Sequence, residues 1–261
     1  MSGQNFLDKI ALVTGASEGI GRSTALALAR QGAHVAVSAR RVAHLEQVAD
    51  EIRASGREAL VCPADVTDAC QVQEMVKGVI GRWGRVDILV SNAGEYIRAP
   101  IGEGIVEPIQ RSLGVNFYGG VYAILAVLPY MREQKSGHIV VVTSMDGKIG
   151  LRNDAPYVAA KFALTGFTQV LRQELEGSGI SVTNVLPGRV DTVMIEHLRF
   201  HWLSAKISPE AVSRAVLRGI ARRQAEVIVP PQAVLLYLIN VFSPRLGDWL
   251  ARQLHLEGWE A

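Results

Sequence analysis

The chain predicts one doubly wound α/β domain, a parallel sheet with helices on both faces. Three features predict it. Short apolar runs alternate with helix-length amphipathic segments from residue 10 to about residue 190. Several of these runs are unbroken and β-branched, as in Ile139-Val140-Val141-Val142, which suits strands buried on both faces of a parallel sheet. The first run ends in a glycine-rich turn that opens directly into a helical pattern, the arrangement by which an open α/β sheet offers a helix N-terminus to an anion.

The first strand is Ile10–Val13. It leads through Thr14-Gly15-Ala16-Ser17-Glu18-Gly19-Ile20-Gly21 into the helical pattern Thr24 to Arg30. Glycines at these positions let the backbone turn tightly and approach a pyrophosphate, while the free N–H groups of the helix hold its charge. Their spacing is wider than the usual three-glycine dinucleotide fingerprint. His34–Ser38 reads as the second strand. Val42–Ser55 reads as a helix, because Leu45, Val48, Ala49 and Ile52 recur at helical spacing. Further strands fall at Glu58–Cys62, Val86–Ser91, Gly137–Thr143 and Ile180–Leu186, and Glu226–Val229 extends the same sheet. Repeated βα units imply right-handed crossovers. After Pro231 the rhythm changes. Gln232–Ser243 is apolar on nearly every side, and as a helix of about 18 Å it is too short for a bilayer core of about 30 Å. Beyond Pro244, Leu246, Trp249, Leu250 and Leu254 share a helical face opposite Arg245, Asp248 and Arg252. Residues 1–261 therefore read as a single domain ending in an apolar helical extension, 231–261.

Composition narrows the function. With 261 residues, 49% of them hydrophobic, and no proline-, serine- or charge-rich linker, the chain can bury one large core. A formal net charge of +2 with scattered basic residues gives no case for a nucleic-acid partner. Cys62 and Cys70 lack metal spacing and fit a reducing compartment. Met1 to Lys9 is polar and unlike a secretory signal, so a cytoplasmic location is expected.

The chemistry sits downstream. Tyr157-Val158-Ala159-Ala160-Lys161 sets a phenol and an ammonium four residues apart, on one helical face. Ser144 closes the strand-like run before them, at the carboxyl end where open α/β sheets bind ligands. With the glycine turn, Asp65-Val66, Asn92-Ala93-Gly94, Asn116 and Pro187-Gly188 in this order, the chain resembles the short-chain dehydrogenase/reductase family over roughly residues 6 to 230. The resemblance implies a Rossmann-type sheet. It also implies a hydride transfer in which Tyr157 is general acid or base, Ser144 holds the substrate oxygen and Lys161 binds the nicotinamide ribose. Asn116 would hold a water that links Lys161 to solvent. A phenol ionises near pH 10, and the Lys161 ammonium, together with the positive charge of an oxidised nicotinamide, is expected to favour phenolate.

The same resemblance assigns the dinucleotide. Gly15, Ser17, Glu18, Gly19, Ile20 and Gly21 would surround its phosphates. Asp65 would meet the adenine amino group with Val66 alongside, and Asn92, Ala93 and Gly94 would pass the adenine ribose. Pro187, Gly188, Val190 and Thr192 would contact the nicotinamide amide. An acid at the end of the second strand would pair with a ribose 2′-hydroxyl. The matching residue is Ala39, followed by Arg40 and Arg41, which favours NADP(H) over NAD(H). Glu18 argues the other way, since some NADP-using relatives carry a base there.

Residues 189–210 match the family's substrate lid. Ile195, Leu198, Phe200, Trp202 and Leu203 make that segment greasy, so a hydrophobic ketone or alcohol is expected, with Ile195, Leu198 and Trp202 as substrate contacts. His197 and His201 share a helical spacing, but no Glu follows His197 as in zinc proteases, and no metal is expected. Asp146 stands where many relatives carry a small apolar residue; it meets a polar substrate group or caps its loop. The tail reads as a packed helix pair or subunit contact, with a substrate cap or a peripheral membrane contact as alternatives. Relatives are often homodimers or homotetramers. A dehydratase or epimerase on the same scaffold, or a nucleotide sensor without turnover, are the rival functions.

Overall fold

The computed structural model describes residues 6–196, 198–199, 206–254, 256 and 259–260. Six strands alternate with helices: β1 (Ile10–Thr14), β2 (His34–Ser38), β3 (Ala59–Val61), β4 (Ile88–Ser91), β5 (Gly137–Val142) and β6 (Ile180–Pro187). β7 (Leu198–Arg199) lies outside the main sheet, and β8 (Glu226–Val229) forms its edge. The order is β3-β2-β1-β4-β5-β6-β8, every pair parallel, so the doubly wound expectation holds. The winding reverses between β1 and β4, which opens a crevice beyond their carboxyl ends.

The unbroken apolar strands are explained by two cores. Along β1, Ala11 and Val13 enter one core and Ile10 and Leu12 the other. The first core is covered by α1 (Gly19–Arg30), α2 (Val42–Ala54) and, near the sheet edge, α7 (Pro209–Arg222). The second is covered by α3 (Ala69–Trp83), α5 (Gly119–Gln134) and α6 (Ala155–Glu174). A shorter helix, α4 (Val106–Ser112), passes through a π-helical turn, Leu113–Tyr118, directly into α5.

Helix starts differ in a way that matters. The Asp68 carboxylate accepts from Cys70 N at 2.8 Å to cap α3, and the Ser208 hydroxyl accepts from Ala211 N at 3.2 Å to cap α7. Helix α1 follows Glu18 with no side-chain cap, so its first N–H groups remain for a ligand.

The tail forms α8 (Ala233–Phe242) and α9 (Pro244–Gln253), close to the expected bounds. It does not end as a helix: β9 (Trp259–Glu260) pairs antiparallel with β7 in the lid segment. Ala233, Leu236 and Tyr237 of α8 pack on Met145, Ile149 and Leu186, while Leu235 and Phe242 are 65% and 85% exposed.

One clasp sets the geometry of the crevice. The Asn92 amide donates to Thr14 O at 3.1 Å and Gly15 O at 3.3 Å, while Thr14 Oγ1 accepts from Asn92 N and Ala93 N at 3.0 and 3.1 Å. Asn92→Ala is expected to destabilise the fold by about 1–3 kcal/mol, because two carbonyls lose their donor. Thermal unfolding checks the loss, and dinucleotide affinity measured in parallel should fall with it.

Candidate active site

The glycine turn needs its glycines. Gly15 and Gly19 have φ of +64° and +56°, in the left-handed region. A Cβ on Gly21 would lie 2.1 Å from Gly15 O and 2.6 Å from Asn92 Nδ2, so a side chain there would break the clasp. A Cβ on Gly19 would meet Thr192 Cγ2 at 3.1 Å, which places the loop after β6 against the turn. A cleft of about 360 Å³ lies there, lined by residues including Gly19, Arg22 and Thr192. An uncapped helix N-terminus, approached through a turn whose glycines leave the backbone bare at residues 15, 19 and 21, fits the pyrophosphate of a dinucleotide.

At the end of β2, Arg40 and Arg41 divide the work. Arg41 Nη2 pairs with Glu18 at 2.7 Å and donates to Ser17 at 3.3 Å, whereas Arg40 is exposed within electrostatic reach of Asp65. Glu18, the feature that spoke against a phosphate, is thus partnered by a base. The Asp65 carboxylate accepts from Thr67 N at 2.9 Å and Thr67 Oγ1 at 2.8 Å, and these bonds hold it below the usual carboxylate range. Val66 is buried beneath it; a Cβ on Gly119 would meet Val66 Cγ2 at 2.7 Å. Ala93 packs against the second core. Ile20 packs against the first.

Beyond β5 the chain turns through the 3-10 segment Met145–Gly147. Met145 is buried against Ile149 and Leu186. Ser144 Oγ accepts from Asp146 N at 3.0 Å and donates to Asp146 Oδ2 at 3.2 Å. The cap is therefore Ser144, and the Asp146 carboxylate lies over the serine hydroxyl. Pro156 starts α6 and places Tyr157 and Lys161 one turn apart. Lys161 is 4% exposed; its Nζ donates to Val142 O at 3.3 Å and stands 5.5 Å from the centre of the Tyr157 ring.

Desolvation dominates the electrostatics. Burial draws the Lys161 ammonium down to about 8, with the Asp146 charge resisting. Burial also raises the Tyr157 phenol above its ordinary value, helped by the charges of Asp146 and Asp154 and opposed by the Ser144 hydrogen bond. In the protein alone, burial and the two carboxylates set the direction for the phenol.

Asn116 lies in the π-turn, 1% exposed. Its Oδ1 accepts from Glu95 N at 3.1 Å and its Nδ2 donates to Glu95 O at 2.8 Å and Ser112 Oγ at 3.1 Å. A Cβ on Gly94 would sit 2.7 Å from Asn116 Oδ1 and 3.7 Å from Lys161 Nζ, so the bare glycine brings asparagine and lysine together. Gly188 N donates to Val229 O at 2.6 Å, seating Pro187-Gly188 on the sheet edge; Val190 is buried, and Thr192 Oγ1 donates to Val190 O at 3.3 Å. Of the lid residues, Ile195 ends the 3-10 turn Val193–Ile195, and its carbonyl accepts from Lys206 Nζ at 3.3 Å. Leu198 is 2% exposed, in the strand paired with β9. Trp202, with His197, Phe200, His201 and Leu203, lies outside the described residues.

Sequence reasoning missed a second polar cluster. Tyr96 Oη donates to Asp154 Oδ2 and Arg98 Nε to Asp154 Oδ1, each at 2.8 Å, with Asp154 fully buried. The Tyr96 ring meets Tyr157 edge-on at 4.9 Å. The one local signal was an acid directly before α6, which reads as a cap; its side chain caps nothing.

Comparison with known proteins agrees with this geometry. Residues 9–201 match the family model for short chain dehydrogenase. An uncharacterized oxidoreductase of Staphylococcus epidermidis is 37% identical over 193 residues, covering 74% of this chain and 83% of the relative. A dehydrogenase/reductase SDR family protein 7-like of Drosophila melanogaster is 31% identical over 269 residues, covering 97% and 82%. The crystal structure of a short-chain type dehydrogenase/reductase from Mycobacterium marinum superposes with a TM-score of 0.82 at 31% identity, covering 88% of this chain and 97% of that one.

The buried lysine has a measurable cost. Its folded value of about 8 lies below the ordinary 10.5, so the unfolded chain binds more protons between those pH values. Stability should therefore rise with pH from about 8 to 10.5, and the penalty is fully present below 8. Lys161→Met is expected to raise stability at pH 7 by roughly 2 kcal/mol, net of the lost hydrogen bond. Urea unfolding at pH 7, 9 and 10 should show that advantage shrinking as pH rises.

Proposed function

Because the chain belongs to the short-chain dehydrogenase/reductase family, whose members are NAD(P)-dependent oxidoreductases, we propose that it transfers a hydride between NADP(H) and a secondary alcohol–ketone pair. One observation carries the reading: Ser144, Tyr157 and Lys161 converge at the carboxyl end of β5, along the same carboxyl edge of the sheet as the uncapped start of α1.

When bound, the dinucleotide supplies or accepts the hydride. The protein's own residues manage the proton and the charge. Tyr157 donates its proton to the substrate oxygen in reduction, and its raised pKa keeps that proton in place at neutral pH. Ser144 donates a hydrogen bond that strengthens as negative charge develops on the same oxygen. Lys161 would bind the nicotinamide ribose, and Asn116 holds the Glu95 backbone at both its N–H and its carbonyl near that lysine.

NADP(H) is supported by the absence of an acid at Ala39, by the exposed Arg40 and by the Arg41–Glu18 pair beside Ser17. A ribose 2′-phosphate would find two guanidinium groups there. Exposed Leu125, Phe162 and Val170 on α5 and α6 support a homodimer or homotetramer. Exposed Leu235, Val241, Phe242 and Trp249 support a further contact of the tail, with another subunit or a membrane surface.

NADPH oxidation against a panel of ketones, with NADH in parallel, tests the reading. Tyr157→Phe should lower kcat by about 10²-fold or more while NADPH still binds; retained turnover would remove Tyr157 from its role. Arg40→Asp should weaken NADPH far more than NADH, and equal losses would mean that Arg40 does not meet the phosphate.

A further inference from the structure

Ser144 has one hydroxyl proton, and the Asp146 carboxylate and a substrate oxygen compete for it. In this structure it goes to Asp146 Oδ2 at 3.2 Å, while Asp146 N donates back to Ser144 Oγ at 3.0 Å. The reductase reading needs the same proton for the substrate oxygen. When Ser144 turns toward a substrate, the Asp146 carboxylate loses its donor.

The surroundings do not replace it. Tyr96 and Arg98 are both committed to Asp154. Lys161 donates to Val142 O. Arg189 faces Asp146 as a charge from the loop after β6, and Asp154 faces it as a like charge from the start of α6. Among the described residues, the Asp146 carboxylate accepts its one side-chain hydrogen bond from Ser144. Met145 beside it is buried in the apolar cluster under α8, so the turn sends Met145 into the protein and leaves Asp146 half-buried next to the reacting groups.

We propose that Asp146 is a specificity residue that takes a hydroxyl carried on the carbon next to the reacting carbonyl, so that the preferred substrate is an α-hydroxy ketone. The inference rests on the reductase reading above. The two oxygens of such a ketone sit roughly one hydrogen-bond length apart, about 2.8 Å. That matches the 3.2 Å between Ser144 Oγ and Asp146 Oδ2. Ser144 then donates to the carbonyl oxygen and the substrate hydroxyl donates to Asp146, so each donor has an acceptor. A plain ketone frees the serine only by leaving the carboxylate without a partner, and sites built this way discriminate strongly against the analogue that lacks the group.

The test compares 2-hydroxyacetophenone with propiophenone, which differ by a hydroxyl in place of a methyl group. Wild-type protein should favour the hydroxy ketone by about tenfold or more in kcat/KM. Asp146→Ala should collapse that ratio at least about fivefold, chiefly by improving propiophenone as the serine is released. Any activation that the hydroxyl gives the carbonyl itself persists in the variant, so the change in ratio isolates Asp146. A second arm uses wild-type protein alone. Burial holds the Asp146 carboxyl up at about 6, so the preference should shrink as pH falls from 8 to 5. A ratio near one in the wild type, a ratio that survives in Asp146→Ala, or a ratio constant with pH overturns the inference and leaves the reductase reading standing. Failure of the wild type to reduce either ketone, with NADPH bound, overturns the reductase reading and this inference with it.

Discussion

A lysine held almost entirely out of water is the constraint around which this site is arranged. Lys161 is 4% exposed, and an ammonium in that position survives only if its surroundings answer it. The Val142 carbonyl does so at the end of β5, and Asp146 does so through its charge. Gly94 contributes by having no side chain: any Cβ there would crowd Asn116 and approach the lysine. The π-turn, the bare glycine and the carboxylate after Ser144 read as unrelated oddities until the cation they surround is considered.

The same burial shapes the phenol. Tyr157 and Lys161 move in opposite directions for one reason, since a low-dielectric site disfavours phenolate and ammonium alike. Near pH 7 the phenol therefore keeps its proton, and the lysine remains mostly an ammonium although burial has brought its value down to about 8. Asp154 adds to this from the start of α6, tied to Tyr96 and Arg98 while Tyr96 leans edge-on against Tyr157. The Tyr157 phenol lies within reach of two carboxylate charges, Asp146 and Asp154, both of which raise it.

Much of this was legible in the sequence because it is encoded locally. The strands announce themselves by β-branched runs, the cradle by glycines 15, 19 and 21, and the Tyr157–Lys161 pair by its helical spacing. What stayed hidden is encoded across distance. Tyr96 and Arg98 meet Asp154 over separations of 58 and 56 residues, which no periodicity reports. Arg41, not Arg40, is the base that reaches Glu18, because the choice between adjacent arginines depends on how the chain leaves β2. The raising effect of burial on Tyr157 is hidden for a related reason: spacing shows that a charge is near, but not how little water is left around it.

The π-turn Leu113–Tyr118 carries one more consequence. Such a turn holds one residue more than an α-helix would use over the same rise. The surplus residue works as a phase setting: α4 before it and α5 after it present faces offset by about 100°, one residue's rotation in an α-helix. That offset lets the upstream face supply Ser112 and the turn itself supply Asn116 to the strap at Glu95, while α5 keeps Ile124, Val127 and Met131 in the core. Length along this helix is therefore not interchangeable. A chain one residue shorter here could keep its core or its strap in phase, but not both.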